Sequence, residues 1–139
     1  MANNDKKQFL ENIYKEVFEL ENPKISIENK RKEQIEEFIK TTINGDDIKT
    51  FLAINAILRA KISGVILYIL TNVRLIKIEI EEKDNINSSS FFLKTITSID
   101  RKIIDRKTVS IDIIFQGTSL GLKYPIDNKK ITEFFQAIE

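Results

Sequence analysis

The chain of 139 residues contains no cysteine, no histidine and no tryptophan. The absence of cysteine excludes disulfides and thiolate chemistry, and the absence of histidine removes the usual imidazole base and the commonest zinc ligand. A chain of this length suits one domain and buries about two thirds of its unfolded surface, so it needs no disulfide to fold. We therefore expect a non-enzymatic protein that binds no metal and no cofactor.

Long hydrophobic runs and an excess of one charge are also absent. The longest run without a charged residue, residues 62–73, is shorter than the roughly 20 residues that span a bilayer as a helix. Residues 1–20 carry charged side chains throughout and contain no signal-peptide core, so we predict a cytoplasmic protein. The net charge is +1 and the isoelectric point is 7.8, without a concentrated basic stripe, so no nucleic acid is expected as a partner.

Helices are predicted in the first third of the chain. Apolar residues recur every three or four positions in residues 9–20, which indicates an amphipathic helix that begins near residues 4–5 and ends before Pro23. A second helix is predicted to start within residues 26–29 and to stop at Gly45, because glycine adopts the left-handed conformation of a helix C-terminus.

From residue 49 onwards, β-branched residues alternate or run together between short polar interruptions, which is typical of strands. Strands are predicted at residues 49–59, 65–70, 73–81, 91–98, 102–104, 109–115 and 119–124. Connections as short as Gln116-Gly117 join antiparallel neighbours. After Pro125, Asp127 is predicted to cap a third helix with one apolar face. The apolar residues on that face are Ile131, Phe134, Phe135 and Ile138.

The clearest hairpin joins two apolar runs through the polar pair Thr71-Asn72. In its second strand Ile76, Ile78 and Ile80 alternate with mostly polar residues, which predicts one buried face and one solvent-exposed face. Seven short antiparallel strands form a strongly twisted sheet that must protect its edges. We therefore predict an α+β fold, in which a seven-stranded, partly open β-barrel is capped by the C-terminal helix and preceded by two helices.

Two motifs of the chain resemble the bacterial pleckstrin-homology-like (PH-like) domains. Residues 64–76, which read GVILYILTNVRLI, are similar to the family's apolar strand followed by T-N/D-x-R-L-I. Residues 92–99, which read FLKTITSI, are similar to its P-L-x-x-I-x-x-I strand, with Phe92 in place of the proline. The final helix, residues 128–138, also lies where the family has one. The resemblance covers residues 46–138 and implies the PH-like version of the barrel.

The resemblance also implies how the chain is divided. Residues 1–45 form an N-terminal helical segment outside the barrel, and residues 46–139 form the PH-like barrel with its C-terminal helix. A polar loop longer than the family's, residues 82–90, separates the third and fourth strands. The Ser88-Ser89-Ser90 run in this loop is predicted to be flexible, since it lacks the glycine setting and the histidine partner of a serine nucleophile.

Basic residues are the candidates for an anion-binding or partner-binding site. Eukaryotic domains of the resembled architecture bind phosphoinositide headgroups with basic residues near the first hairpin, where this chain has Arg59 and Lys61, with Arg74 beyond them. A second basic group on later strands and their turn could bind phosphate or an acidic partner. Its members are Lys94, Arg101, Lys102, Arg106 and Lys107. The competing interpretation is a solvated face on which these cations pair with Asp100, Asp105 and Asp112.

Several candidates have a simpler structural interpretation. Threonine and asparagine suit a tight turn, so Arg74 is expected to reach a carbonyl or carboxylate next to the hairpin. Asp46-Asp47 could ligate a hard cation, but no third oxygen-rich position follows at calcium-loop spacing, which favours a solvated turn. Tyr68 and Tyr124 are interpreted as core aromatic residues.

Three functional classes follow from the sequence. The leading one is a non-enzymatic PH-like interaction module that binds another protein or associates with itself, through sheet edges or the N-terminal helices. The alternative is a peripheral membrane module whose basic residues contact anionic lipid headgroups. The third is an enzyme with an unusual carboxylate site, which a deep polar pocket lined by two acids would favour.

Overall fold

The computed structural model describes residues 3–20, 29–58, 61–81 and 85–139. The helices in these ranges are α1 (Asn3–Leu20), α2 (Asn29–Ile43) and α3 (Lys129–Ile138). The strands are β1 (Ile48–Leu58), β2 (Lys61–Thr71), β3 (Arg74–Glu81), β4 (Ile86–Phe92), β5 (Ile96–Ile103), β6 (Thr108–Phe115) and β7 (Thr118–Pro125), with a 3-10 helix (Leu93–Thr95) between β4 and β5. None of the described helices is long and apolar enough to cross a membrane.

The predicted order of helices and strands is confirmed, but two strand predictions are wrong in their bounds. The strand predicted at residues 91–98 is divided by the 3-10 helix, and the strand predicted at residues 102–104 is the end of β5. Two N-terminal helices precede seven strands in antiparallel sheets, and a helix follows the last strand. Strands β1 to β4 form one sheet in sequential order, and β5 to β7 form a second. In the described part of the chain the seven strands therefore belong to two hydrogen-bonded sheets and not to one.

By packing, the chain divides into two compact units, residues 1–90 and residues 91–139. The first unit contains α1, α2, β1 to β3 and most of β4, and the second contains the 3-10 helix, β5 to β7 and α3. Helix α1 packs on β1 and β2, and α2 packs on β3, so packing does not separate the two helices from the strands that follow. The division after residue 45 into a helical segment and a barrel domain remains a prediction about domains.

The apolar stripes of α1 and α2 cover one face of the first sheet. An amphipathic helix has to bury its apolar stripe against another element, and the alternating isoleucines of β3 provide such a surface. The helix residues that are fully buried there are Ile13, Val17, Ile35, Ile39 and Ile43. The sheet residues in the same cluster include Leu67, Ile69, Ile76, Ile78 and Ile80, so the predicted buried face of β3 is confirmed.

The opposite face of this sheet was predicted to be exposed to solvent, and that prediction is wrong. Leu52, Tyr68 and Leu75 lie on it by register, and each is at most 2% exposed. The prediction was based on the polar residues Lys77 and Glu79 of β3, which form an ion pair at 3.4 Å. The alternation along β3 indicates the polarity of residues on β3 alone. Apolar side chains of β1 and β2 lie on the same face, and the sequence of β3 does not reveal them.

Helix α3 packs on the three-stranded sheet of the second unit. The Tyr124 ring of β7 stacks on the Phe135 ring at 6.0 Å, and Phe134 meets Phe135 edge to face at 5.3 Å. Both phenylalanines and Ile131 are buried, as the helical periodicity predicted. The N-cap is Asn128, whose side chain accepts a hydrogen bond from the Ile131 N–H at 3.1 Å. The predicted cap Asp127 was wrong by one residue, because the helix starts one residue later.

Two local predictions about connections have different outcomes. Gly45 follows α2 with a φ of 84°, which confirms the predicted left-handed stop. The Ser88-Ser89-Ser90 run, predicted to be a flexible loop, lies in strand β4 at the edge of the first sheet. Serine has little intrinsic preference for strands, so pairing with β3 decides this conformation, and the sequence of β4 does not show it. The first residues of the predicted loop, 82–84, lie outside the described ranges.

Candidate functional site

Arg74 places its guanidinium against the C-terminal end of α2. Its Nε lies 2.6 Å from Asp46 Oδ2, its Nη2 donates to the Thr42 carbonyl at 2.5 Å, and its Nη1 donates to Ser90 Oγ at 3.0 Å. The last carbonyls of a helix have no partner within the helix and carry partial negative charge, so they favour a cation. Arg74 therefore joins the end of α2, the connection to β1 and strand β4.

Thr71 and Asn72 hold the turn that precedes Arg74. The Thr71 hydroxyl accepts the backbone N–H groups of Val73 at 3.2 Å and of Arg74 at 3.0 Å. Asn72 donates its backbone N–H to the Asp47 carbonyl at 2.9 Å, and its side-chain oxygen accepts the Asp47 N–H at 3.2 Å. The turn residues are Asn72 and Val73, one position later than predicted, because Thr71 is the last residue of β2.

These contacts support the interpretation in which Thr71, Asn72 and Arg74 stabilise the turn and its surroundings. Asp46 was predicted to lie in a solvated turn, but its side chain is only 16% exposed and that of Arg74 only 19%. The Thr71 hydroxyl also lies 3.1 Å from Asp46 Oδ2, so this carboxylate has two neighbours within the chain. We do not include Arg74 in a binding surface, because its donors already have acceptors in the same unit.

The other basic candidates are spread over the chain. Arg59 lies outside the described residues, and Lys61 begins β2 with a side chain that also lies outside them. Lys94 is exposed on the 3-10 helix. Arg101 Nη1 lies 2.9 Å from Glu139 Oε1, so its charge is paired within the second unit. The remaining three candidates, which lie together at the β5–β6 turn, are Lys102, Arg106 and Lys107.

The β5–β6 turn forms an exposed end of the second unit together with the connection from β7 to α3. The Ile126 N–H donates to the Lys107 carbonyl at 2.8 Å, so the two connections are adjacent, and the Ile104 N–H donates to the Thr108 carbonyl at 3.0 Å within the β5–β6 hairpin. Lys123 of β7 lies in the same cross-strand row as Lys102 of β5, with one residue of β6 between them. We call residues 102–107, Lys123 and residues 126–129 the basic tip.

The basic tip combines exposed apolar side chains with unpaired cations. Ile103 is 64% exposed, Ile104 45% and Ile126 46%. The tip carries five basic and two acidic side chains, a net charge of +3. Among the described residues, no ion pair involves the cations of this tip. These cations are Lys102, Arg106, Lys107, Lys123 and Lys129.

The aspartates near the tip do not form the salt-bridged face that was the competing interpretation. Asp105 Oδ1 accepts the backbone N–H of Lys107 at 2.8 Å, and this bond, more than the others it makes to Thr108, lowers the pKa of Asp105. Asp100 and Asp112 lie directly opposite each other on β5 and β6, both exposed. Among the described residues, neither carboxylate forms an ion pair with a cation of the tip.

Sequence reasoning missed the isoleucines of the tip and Lys123. Ile104 was placed at the end of a predicted strand, where an apolar residue is expected to be buried, and Ile126 follows Pro125 in a connection. The signal that could have found them is the cross-strand register, which brings residues about 20 positions apart to the same end of the sheet. A register cannot be fixed from the periodicity of one strand.

A groove of about 720 Å³ lies between α1 and α2 in the first unit. Tyr14 contributes a phenol to its lining, and the hydroxyl donates to the Glu36 carbonyl at 3.4 Å. Burial, followed by the charges of Glu36 and Glu37, raises the pKa of Tyr14 to about 12. A phenol with this pKa does not act as a base near neutral pH. The acidic residues that line the groove are Glu11, Glu33, Glu36 and Glu37.

The groove is open and lies between surface helices, so it is not the deep polar pocket that would favour an enzyme. Within the described ranges, no group of three acidic side chains is arranged to hold a metal ion. Burial and the charge of Glu79 raise the pKa of Tyr68 to about 12, which keeps that phenol neutral as well. The arrangement of Tyr68 and Tyr124 agrees with their interpretation as core aromatic residues.

No protein-family model and no curated protein matches the chain. Among solved structures, it is similar to a DUF1696 family protein with a pleckstrin-homology domain from Shewanella loihica PV-4, at 15% identity and a TM-score of 0.48 over 73% of this chain and 91% of that one. It is also similar to a pleckstrin homology domain from Shewanella amazonensis SB2B, at 11% identity and a TM-score of 0.47 over 73% of this chain and 92% of that one.

Proposed function

We propose that the chain is a non-enzymatic PH-like module that binds another protein or associates with itself. The observation that carries this proposal is the grouping of Ile103, Ile104 and Ile126 at one exposed end of the second unit. Single exposed apolar side chains are ordinary, but several that gather at one end of a fold among charged residues are typical of interaction surfaces. The open groove of the first unit and the neutral phenols of Tyr14 and Tyr68 offer no catalytic group of their own.

Light scattering after size exclusion tests self-association. We expect a species heavier than the 16.1 kDa monomer whose share grows with concentration across the micromolar range. A variant with Ile104→Ser should shift this equilibrium towards monomer, whereas Val73→Ser, which changes an exposed apolar residue outside the basic tip, should leave it unchanged. A strictly monomeric chain over the whole range would contradict self-association and leave a different protein as the partner.

The alternative function, a peripheral membrane module, is favoured by the cations Lys102, Arg106 and Lys107, which lie at the same end of the second unit as the exposed isoleucines and for which the described chain provides no ion pair. Juxtaposed basic and apolar side chains can contact anionic headgroups and the boundary of the acyl chains. This alternative predicts sedimentation with vesicles that contain phosphatidylglycerol, no sedimentation with pure phosphatidylcholine, and release by salt. Equal binding to both kinds of vesicle, or to neither, would count against it.

A further inference from the structure

We propose that the basic tip is a docking site for a single acidic, amphipathic segment of a partner protein. This inference rests on the proposed function, because it names the surface and the chemistry of the partner.

The cations of the basic tip are available to a partner in a way that Arg74 and Arg101 are not. Arg101 is held by Glu139, and Arg74 is held by Asp46 and by carbonyls at the end of α2. In contrast, the described chain provides no ion pair for Lys102 or Arg106. Carboxylates of a partner would add the missing charge complementarity, which chiefly sets association rate and specificity.

The exposed isoleucines require that the partner also has an apolar face. Ile103 lies in register with Val109 and, beyond it, with Tyr124, so it continues the buried face of the second sheet to its rim. Ile104 and Ile126 follow on the two adjacent connections. Highly charged, fully polar ligands such as free phosphate would leave all three isoleucines in water, whereas an amphipathic segment covers them.

The width of the tip fits one segment of chain. Three strands end here, and neighbouring strands lie about 4.8 Å apart, so Lys102 and Lys123 are separated by about 10 Å of sheet. This distance is close to the diameter of one α-helix with its side chains, about 10 to 12 Å. The tip is therefore wide enough for one helix or strand and too narrow for a large flat interface.

The carboxylates of the tip favour a protein partner over a lipid surface. Asp105 lies at the turn between the cations, and its carboxylate is fixed by the Lys107 N–H at 2.8 Å. Asp127 lies in the adjacent connection. A flat anionic membrane would meet these two carboxylates together with the cations, whereas a peptide can place its own acidic residues at the cations alone. The tip also lacks the tryptophan and tyrosine that anchor proteins at a membrane interface.

Fluorescence anisotropy with a designed peptide tests the inference. The probe is a labelled peptide of about 16 residues, long enough for four helical turns, with leucine on one face and glutamate on the other. We expect saturable binding to the full chain that weakens as salt rises from about 50 to about 300 mM. The control peptide carries lysine in place of glutamate and should not bind.

Substitutions in the full chain then test whether the peptide binds at the basic tip. Reversing two charges in Arg106→Glu/Lys107→Glu should weaken binding by about tenfold or more, and Ile104→Ser should weaken it without changing the salt dependence. Lys94→Glu is the matched control, because it reverses an exposed charge of the same unit about 20 Å away along β5. All four substituted residues are exposed, so the thermal unfolding midpoint should not change.

Binding that is equal for both peptides, or that survives the double charge reversal, would overturn the inference. Binding of the wild-type chain to phosphatidylglycerol vesicles without binding to the acidic peptide would also overturn it, in favour of the membrane alternative. If the chain self-associates but ignores the peptide, the inference fails and the proposed function stands. If it neither self-associates nor binds the peptide, the inference fails and so does self-association, and the proposed function keeps only a different protein partner.

Discussion

Replacement of Arg74 by methionine separates its structural role from a role in binding. Methionine keeps the aliphatic stem and removes the guanidinium, so the Thr42 carbonyl loses its donor from Arg74 and the Asp46 carboxylate keeps only the Thr71 hydroxyl. An exposed ion pair is worth about 0.2 to 1 kcal/mol, and removing one partner of a buried pair costs about 3 to 5 kcal/mol. Because these side chains are 19% and 16% exposed, we expect a loss of about 3 kcal/mol.

Urea unfolding followed by circular dichroism measures this loss, and a double-mutant cycle assigns it. Arg74→Met, Asp46→Asn and the double variant should give a coupling energy of about 1 to 2 kcal/mol. The matched control is Lys77→Met, which breaks the more exposed pair with Glu79 on the same sheet and should cost less than about 1 kcal/mol.

A result near zero would refute this reasoning. If Arg74→Met unfolds within about 0.5 kcal/mol of the wild type, the limit for an ordinary surface substitution, its contacts add nothing to stability. Arg74 would then return to the set of candidate ligand-binding residues. A large loss with no coupling to Asp46 would place the stabilising contact at the end of α2, on the carbonyls of Thr42 and Ile43.

Three further predictions concern the core and one close approach of the backbone. Since burial raises the pKa of Tyr68 from 10.0 to about 12, its contribution to stability is complete below pH 10 and is lost as the pH rises from about 10 to 12, by up to roughly 3 kcal/mol. Tyr68→Phe should therefore lose less stability than the wild type over this range, and equal losses in urea titrations of the two proteins would contradict this. Phe134→Ala should cost about 3 to 5 kcal/mol in thermal or urea unfolding, since the ring is 3% exposed, and near-neutral behaviour would place it on the surface. Gly64→Ala should lower the free energy of unfolding more than Gly45→Ala in the same assay, because a Cβ added at residue 64 would collide with the Ile80 carbonyl, whereas one added at residue 45 would meet open space. Equal losses would mean that β2 and β3 separate easily.

Much of the fold could be predicted because local signals decided it. Periodicity located the three helices, and Gly45 and the Thr71-Asn72 pair marked connections that depend on the conformations of single residues. Strand β4 could not be predicted, since Ser88 and its neighbours have no strand preference and are held by pairing with β3. The choice of Asn128 over its neighbour as N-cap could not be predicted either, because both residue types cap helices and geometry decides between them.

The candidate site was predicted only in part, for the same reason. The sequence indicated that Lys102, Arg106 and Lys107 were candidates, because a short turn keeps them together along the chain. It did not show that Arg101 is neutralised by Glu139, since this contact joins residues 38 positions apart. Nor did it show that exposed isoleucines lie beside the cations, because that depends on the register of three strands.

The isoleucine-lined face of the first sheet has a practical consequence for anyone who shortens this protein. Ile13 and Ile39 belong to the two helices that precede the strands and could be mistaken for a dispensable N-terminal segment. Both side chains are fully buried in the cluster that these helices form with the sheet. A fragment that begins at residue 46 would lack both helices and would expose the β-branched apolar face of the first sheet to solvent. Such a fragment should precipitate or clump, and any stickiness it displayed would report the missing helices instead of a natural partner.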